Sequence, residues 1–298
     1  MIDATEVELT RDNAADCFAD AAQKLISCRE SFKGRGIVIP AGGVKYFPCA
    51  WVNIRMLRRH GCKLPIELWH LGPEEMPPTM RELLEPFDVR VVDALEYRQR
   101  FPARILRGWE LKPYAIMHSA FEEVLLLDAD NVAVLDPTFF FQTTEYRETG
   151  SIFWPDYGRL APTREIWKLT GVAYRDEPEF ETGQIVIHKR RCWKALALTM
   201  WMNEHSDFWY RFIHGDKETF HLAWRKLGVP YAMPTRGIER LEKVMCQHDF
   251  SGRRVFQHRN MAKWTLGENR RIAGFLFENE CLVMLEELRQ RWKQPSPD

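Results

Sequence analysis

The sequence has no excess of charge of either sign, no long hydrophobic run and no paired-cysteine motif. Its 42 Lys and Arg balance 42 Asp and Glu. That balance argues against a dedicated nucleic-acid binder, which needs a basic surface to neutralise many phosphates; a local anion site stays open. The seven cysteines are scattered and contain no C-x-x-C. A disulfide framework or zinc knuckle is thereby disfavoured, and free thiols in a reducing compartment are expected. The N-terminus MIDATEVELTRDNAADC has no cationic segment followed by an apolar one, and no window holds the roughly 18 apolar residues of a membrane span. The expectation is a cytoplasmic, soluble protein with no transmembrane segment and no nucleic-acid partner. No G-x-G-x-x-G or G-x-x-x-x-G-K-[ST] occurs, so dinucleotide and phosphate-loop readings lose support.

What is present is a chain of 298 residues, 45% hydrophobic and 12% aromatic, which is ample for a packed core. Residues 1–33 form an acidic lead with a helix expected from Ala14 to Ser31. Gly36–Pro40 reads as a buried strand, followed by Ala41-Gly42-Gly43 and a helix from Tyr46 to His60 closed by Gly61. Ile66–His70 and Val89–Val92 are further strands, with a short helix at Met80–Glu85 between them. A helix over Glu110–Phe121 leads to Val124–Leu127, the clearest strand. Ser151–Trp154, Gln184–His188 and Val255–Gln257 read as later strands, and Arg190–Glu204 and Lys217–Leu227 as helices. Strands alternating with helices imply βαβ units and a mostly parallel sheet, with functional residues at the carboxyl ends of its strands. No linker is visible, so one domain over 34–290 is expected, with a frayed tail at 291–298.

The sharpest chemical signal is Val124-Leu125-Leu126-Leu127-Asp128-Ala129-Asp130. Two carboxylates stand at i and i+2 where an apolar strand ends. In extended chain such residues point the same way, so Asp128 and Asp130 can converge on one hard cation. The competing reading is a turn in which both make local backbone hydrogen bonds. Glu181-Thr182-Gly183-Gln184 precedes a strand; Gly183 permits a tight approach, and Glu181 and Gln184 are candidates to bind ligand hydroxyls. Asp216, in Gly215-Asp216-Lys217-Glu218-Thr219, is either a helix N-cap or an acid near the reacting carbon. His248-Asp249 and Trp154-Pro155-Asp156 are lesser acceptor candidates. Trp109 is read either as a flat platform for a ligand ring or as core, with core packing the favoured role.

The stretch from Phe121 to Asp130 resembles the aspartate-x-aspartate strand of GT-A glycosyltransferases. Gly150-Ser151-Ile152-Phe153-Trp154-Pro155-Asp156-Tyr157, Glu181–Ile187, Trp201–Phe208, Gly215–Phe220 and Phe256-Gln257-His258-Arg259-Asn260 resemble, in order, the fungal α-mannosyltransferases of the Mnn2 type. The resemblance runs from about Arg35 to Thr265. It implies an α/β, GT-A-like single domain with a mostly parallel central sheet flanked by helices. It also implies transfer of a hexose, mannose from GDP-mannose, with retention and with Mn²⁺ or another divalent cation. The acceptor would be a glycan or small-molecule hydroxyl. The resemblance suggests His258 as third metal ligand, Lys112 and Lys263 as diphosphate-holding cations, and the Gly42-Gly43 loop as a nucleotide contact. Asp130, Glu181 and Asp216 are the catalytic candidates, although same-face attack without a protein nucleophile is equally open. Two rival readings are a catalytically inactive glycan-binding protein on the same fold and a metal-dependent phosphoesterase. The latter lacks the further His/Asp clusters that a two-metal site needs.

Overall fold

Strand side chains alternate between two hydrophobic cores, one on each side of a sheet. In the computed structural model, which describes residues 8–25, 28 and 31–292, Ile37, Ile39, Leu125 and Leu127 face one core. Val38, Val124 and Leu126 face the other. Both faces are covered, which is why these strands read as unbroken apolar runs.

The first half of the chain runs α1 (Ala14–Gln23), β1 (Arg35–Pro40), α2 (Gly43–Arg59), β2 (Ile66–His70), α3 (Pro78–Leu84), β3 (Val89–Asp93), α4 (Ala94–Arg100), α5 (Leu111–His118), β4 (Glu123–Leu127) and β5 (Asn131–Ala133). The rest runs α6 (Thr144–Thr149), β6 (Ser151–Pro155), α7 (Ile166–Thr170), β7 (Phe180–His188), α8 (Lys189–Glu204), α9 (Ser206–Trp209), α10 (Asp216–Leu227), β8 (Glu239–Leu241), β9 (Val244–His248), β10 (Arg254–His258) and α11 (Glu278–Arg291).

The main sheet has the order β3-β2-β1-β4-β7-β6. Neighbours among β1 to β4 are parallel, and β7 is antiparallel to both β4 and β6. Helices α2 and α11 lie in the core on one face, and α5, α8 and α10 in the core on the other. A small antiparallel sheet, β5-β10-β9-β8, adjoins it. This is the mostly parallel central sheet flanked by helices that was expected of an α/β chain. No helix among the described residues is long and apolar enough to cross a membrane, and no disulfide links the described cysteines.

Several boundaries differ from expectation. The first helix ends at Gln23 rather than Ser31; residues 26–27 and 29–30 lie outside the described ones, as does the tail Gln294–Asp298. Helix α2 begins at Gly43, three residues before Tyr46, where φ of +65° supplies the turn into it. Helix α5 stops at His118, because Ser119 has extended backbone. Strand β7 starts four residues before Gln184, so Glu181-Thr182-Gly183 are strand rather than loop. Pairing with Trp154 and Pro155 of β6 extends it. Strands β5, β8 and β9 and helices α4, α6, α7, α9 and α11 lie outside the elements expected from the sequence.

Candidate active site

Strand β4 ends at Leu127, and Asp128-Ala129-Asp130 forms a tight turn in which the Asn131 backbone N–H donates to the Asp128 carbonyl at 3.0 Å. The chain then enters β5 and the small sheet. There His258, the last residue of β10, is paired with Asn131, so its ring stands beside the turn. Its Nε2 is 3.2 Å from Asp130 Oδ1 and 3.7 Å from Asp128 Oδ2. One ligand atom from each of Asp128, Asp130 and His258 lies within 4.8 Å of the others. The carboxylates therefore converge through a turn and a second sheet, not through simple strand alternation. The carbonyl of Asp128 is held by Asn53 Nδ2 at 3.0 Å, and that of Asp130 by the Arg259 N–H at 3.0 Å.

Two lysines flank the acids. Lys112, at the start of α5, is buried; its Nζ lies 2.9 Å from Asp128 and 3.4 Å from Asp216, and donates to the Thr182 carbonyl at 3.3 Å. Lys263 donates to Asp130 and to the Asn260 carbonyl. Glu181, in β7, faces the other side of the imidazole, with Oε1 3.3 Å from His258 Nδ1. Its oxygens also accept the Gly183 N–H at 2.9 Å and Gln184 Nε2 at 2.5 Å. Gly183 is required beside the ring: a Cβ there would sit 2.5 Å from His258 Nδ1.

Asp128, Asp130, Glu181 and Asp216 set four formal negative charges against the two positive ones of Lys112 and Lys263, an excess of two. Burial and these charges together set the proton affinities. Burial alone would lower the affinity of His258, but Asp130 and Glu181 override it and push its pKa up to about 10. Burial works against ionisation of Asp130, yet His258 and Lys263 hold its carboxyl well below the usual range. Asp128 goes the other way, because burial outweighs the help of Lys112 and His258. Lys112, despite burial, is held protonated by Asp128 and Asp216.

A cavity of about 820 Å³ opens over this group. Asp128, Asp130, His258, Lys112, Lys263 and Gly42 line it. Gly43, Glu181, Gln184 and Asp216 do not. Glu181, Gln184 and Asp216 are buried behind it. The N-cap role expected of Asp216 falls to Gly215, whose N–H, like that of His214, is taken by Glu218 at 3.1 Å. Asp216 instead accepts from Thr182 Oγ1 at 2.8 Å. The lesser candidates stand elsewhere. Asp156 is 2.7 Å from Lys217 and lines a second cavity of about 510 Å³. His248 contacts Glu239 at 3.1 Å, and Asp249 caps a turn through Ser251 and Arg253. Trp109 is not core; it is 51% exposed on the main cavity wall. Sequence reasoning missed Tyr46, Glu75, Glu110 and Asn260, which also line the cavity. Glu75 was findable, since it follows the carboxyl end of β2.

A family model described as "Mannosyltransferase putative" matches residues 34–178 and 172–258, well over half of the chain, which belongs to that family. The chain is 28% identical to alpha-1,2-mannosyltransferase MNN24 of Candida albicans over 248 residues, covering 67% of this chain and 34% of that protein. It is 27% identical to alpha-1,2-mannosyltransferase MNN2 of Saccharomyces cerevisiae over 307 residues, covering 82% and 51%. The chain thus spans about a third to a half of the length of these relatives. Solved structures with partial similarity include mouse xyloside xylosyltransferase 1, with a TM-score of 0.46 and 14% identity over 67% of this chain and 85% of that one. The galactosyltransferase LgtC gives 0.44 and 16% over 66% and 73%.

Proposed function

We propose that this protein is a metal-dependent glycosyltransferase that moves mannose from GDP-mannose to a hydroxyl of a glycan or small-molecule acceptor, with retention at the anomeric carbon. The observation that carries this reading is the convergence of Asp128, Asp130 and His258 within 4.8 Å, flanked by Lys112 and Lys263, on one large cavity. Membership of a mannosyltransferase family supports the sugar.

Asp128, Asp130 and Nε2 of His258 would hold the ion. The residues fit it: Glu181 faces Nδ1 and leaves Nε2 toward the two carboxylates, as a carboxylate behind a ligating histidine does. Two carboxylates and one imidazole suit Mn²⁺. When bound, such an ion supplies positive charge that stabilises the diphosphate as it departs. Lys112 and Lys263 turn from their carboxylates toward the donor phosphates and add to that stabilisation. Gly42, at the end of β1, brings bare backbone to the nucleotide; a Cβ there would sit 2.7 Å from Glu75. Glu75 accepts the Leu71 N–H at 2.8 Å through Oε2. Glu75 lines the cavity, and a carboxylate there suits the paired N1–H and N2–H donors of guanine better than the single N3–H of uracil. Glu181 and Asp216 lie behind Lys112 and outside the cavity lining. That placement supports same-face attack by the acceptor hydroxyl, with the two acids orienting His258 and Lys112 and Gln184 holding Glu181.

The test is turnover of GDP-mannose by Asp130→Ala with and without Mn²⁺. Loss of metal-dependent turnover by about 100-fold or more is expected; activity like that of the wild type overturns the metal assignment.

A further inference from the structure

The sequence holds eleven tryptophans. Ten are buried, at 8% exposure or less, and Trp109 alone is half exposed. It lies on the wall of the main cavity. Its position is fixed from both sides. The Lys112 N–H donates to the Trp109 carbonyl at 3.0 Å, so the indole stands one turn from the lysine that touches Asp128. Behind it, Gly215 packs against the ring, where a Cβ would sit 2.7 Å away. Tyr210 flanks it at 6.0 Å between ring centroids. An indole braced this way has its rotamer entropy already spent and its free face on the cavity.

A second observation sits beside it. Glu110 is 4% exposed and lines the same cavity. Its Oε1 accepts from Ser206 Oγ at 2.6 Å, but its Oε2 is buried without a hydrogen-bond partner. A carboxylate oxygen left so is costly. A Cβ on Gly108 would sit 3.4 Å from that oxygen, so the glycine adds no side chain against it. An apolar ring face next to an orphaned acceptor matches a pyranose, which offers an apolar C–H face and hydroxyl donors at its edge.

We propose that Trp109 and Glu110 form the acceptor subsite, which takes a hexopyranoside with its ring on the indole and a hydroxyl donated to Glu110 Oε2. This rests on the transferase reading above. The donor sugar, tied to the diphosphate, belongs at the buried floor by Lys112 and Asp128. The exposed indole stands toward the rim, where a second sugar enters.

The probe is methyl α-D-mannopyranoside. In Trp109→Ala, its KM in transfer from GDP-mannose rises about tenfold, the size of one lost aromatic contact. Trp109→Phe retains most of the affinity, and Glu110→Gln weakens it by a similar factor. Calorimetric affinity for Mn²⁺ and GDP stays within about twofold in all three. Saturation-transfer NMR reads binding of the same glycoside without turnover; its signal in wild type is lost in Trp109→Ala. An unchanged acceptor KM with an unchanged NMR signal overturns the proposal. So does a parallel loss of GDP-mannose affinity with GDP affinity kept, which would put the donor sugar on the indole. If the wild type binds no GDP with Mn²⁺ yet the NMR signal depends on Trp109, the transferase reading fails and the sugar subsite stands.

Discussion

Gly183 and His258 are in contact so close that a single methyl group between them would sit 2.5 Å from Nδ1. Strand β7 thereby presses the imidazole toward Asp128 and Asp130. Gly183→Ala is expected to tilt the ring and weaken Mn²⁺ binding about 10- to 100-fold, as misplacing a ligand from behind does. Calorimetric titration of Mn²⁺ in the presence of GDP checks it.

Lys112 neutralises Asp128 and Asp216 in a buried setting. Lys112→Met keeps the length of the stem and removes the charge, leaving both carboxylates short of a partner. Stability should fall by about 3 kcal/mol or more, read by urea unfolding, and Mn²⁺ should recover part of that loss by replacing the missing positive charge. Equal loss with and without Mn²⁺ would contradict the charge balance described.

Glu75 holds the Leu71 N–H with one oxygen. If the other reads guanine, Glu75→Gln should cost about tenfold or more in GDP affinity and much less in UDP affinity, since a charge-assisted hydrogen bond is replaced by one with half its acceptors. Competition binding with GDP, IDP and UDP measures the preference.

His118 is buried among Tyr114, Phe101 and Tyr97, and neither ring nitrogen has a hydrogen-bond partner. Burial, assisted by Lys189, lowers its pKa to about 3. The unfolded chain takes up a proton near pH 6.5 that the folded chain refuses, so stability falls as pH drops from about 6.5 toward 3. At pH 5 the loss is about 2 kcal/mol, 1.5 pH units at about 1.4 kcal/mol each. His118→Phe should erase it. Urea unfolding at pH 7.5 and pH 5 should show the variant gaining that amount on the wild type at the lower pH.

The sheet was legible because Gly36–Pro40, Ile66–His70 and Val124–Leu127 are buried on both faces, and such strands announce themselves as apolar runs. The small sheet was not: β5 and β8 have three residues each, too few for a period to show. Asp128 and Asp130 were visible from their place after a strand, but their means of convergence was not, since it depends on pairing between Asn131 and His258, 127 positions apart. The start of β7 was hidden because Glu181, Thr182 and Gln184 are polar yet buried; each is matched to a partner contributed by a distant segment, His258, Asp216 and Asn131 in turn. Trp109 was misjudged for a related reason. Burial of a tryptophan is the usual outcome, and only its neighbours in space reveal the exception.

The chain passes from one sheet to the other through Asp128-Ala129-Asp130, and His258 reaches back from the far side of that crossing. A cation gripped there would act as a rivet joining the two sheets. Donor capture and mechanical cohesion of the molecule's middle would then be one event: amides of β5 and β10 should exchange with deuterium more slowly once the rivet is in place.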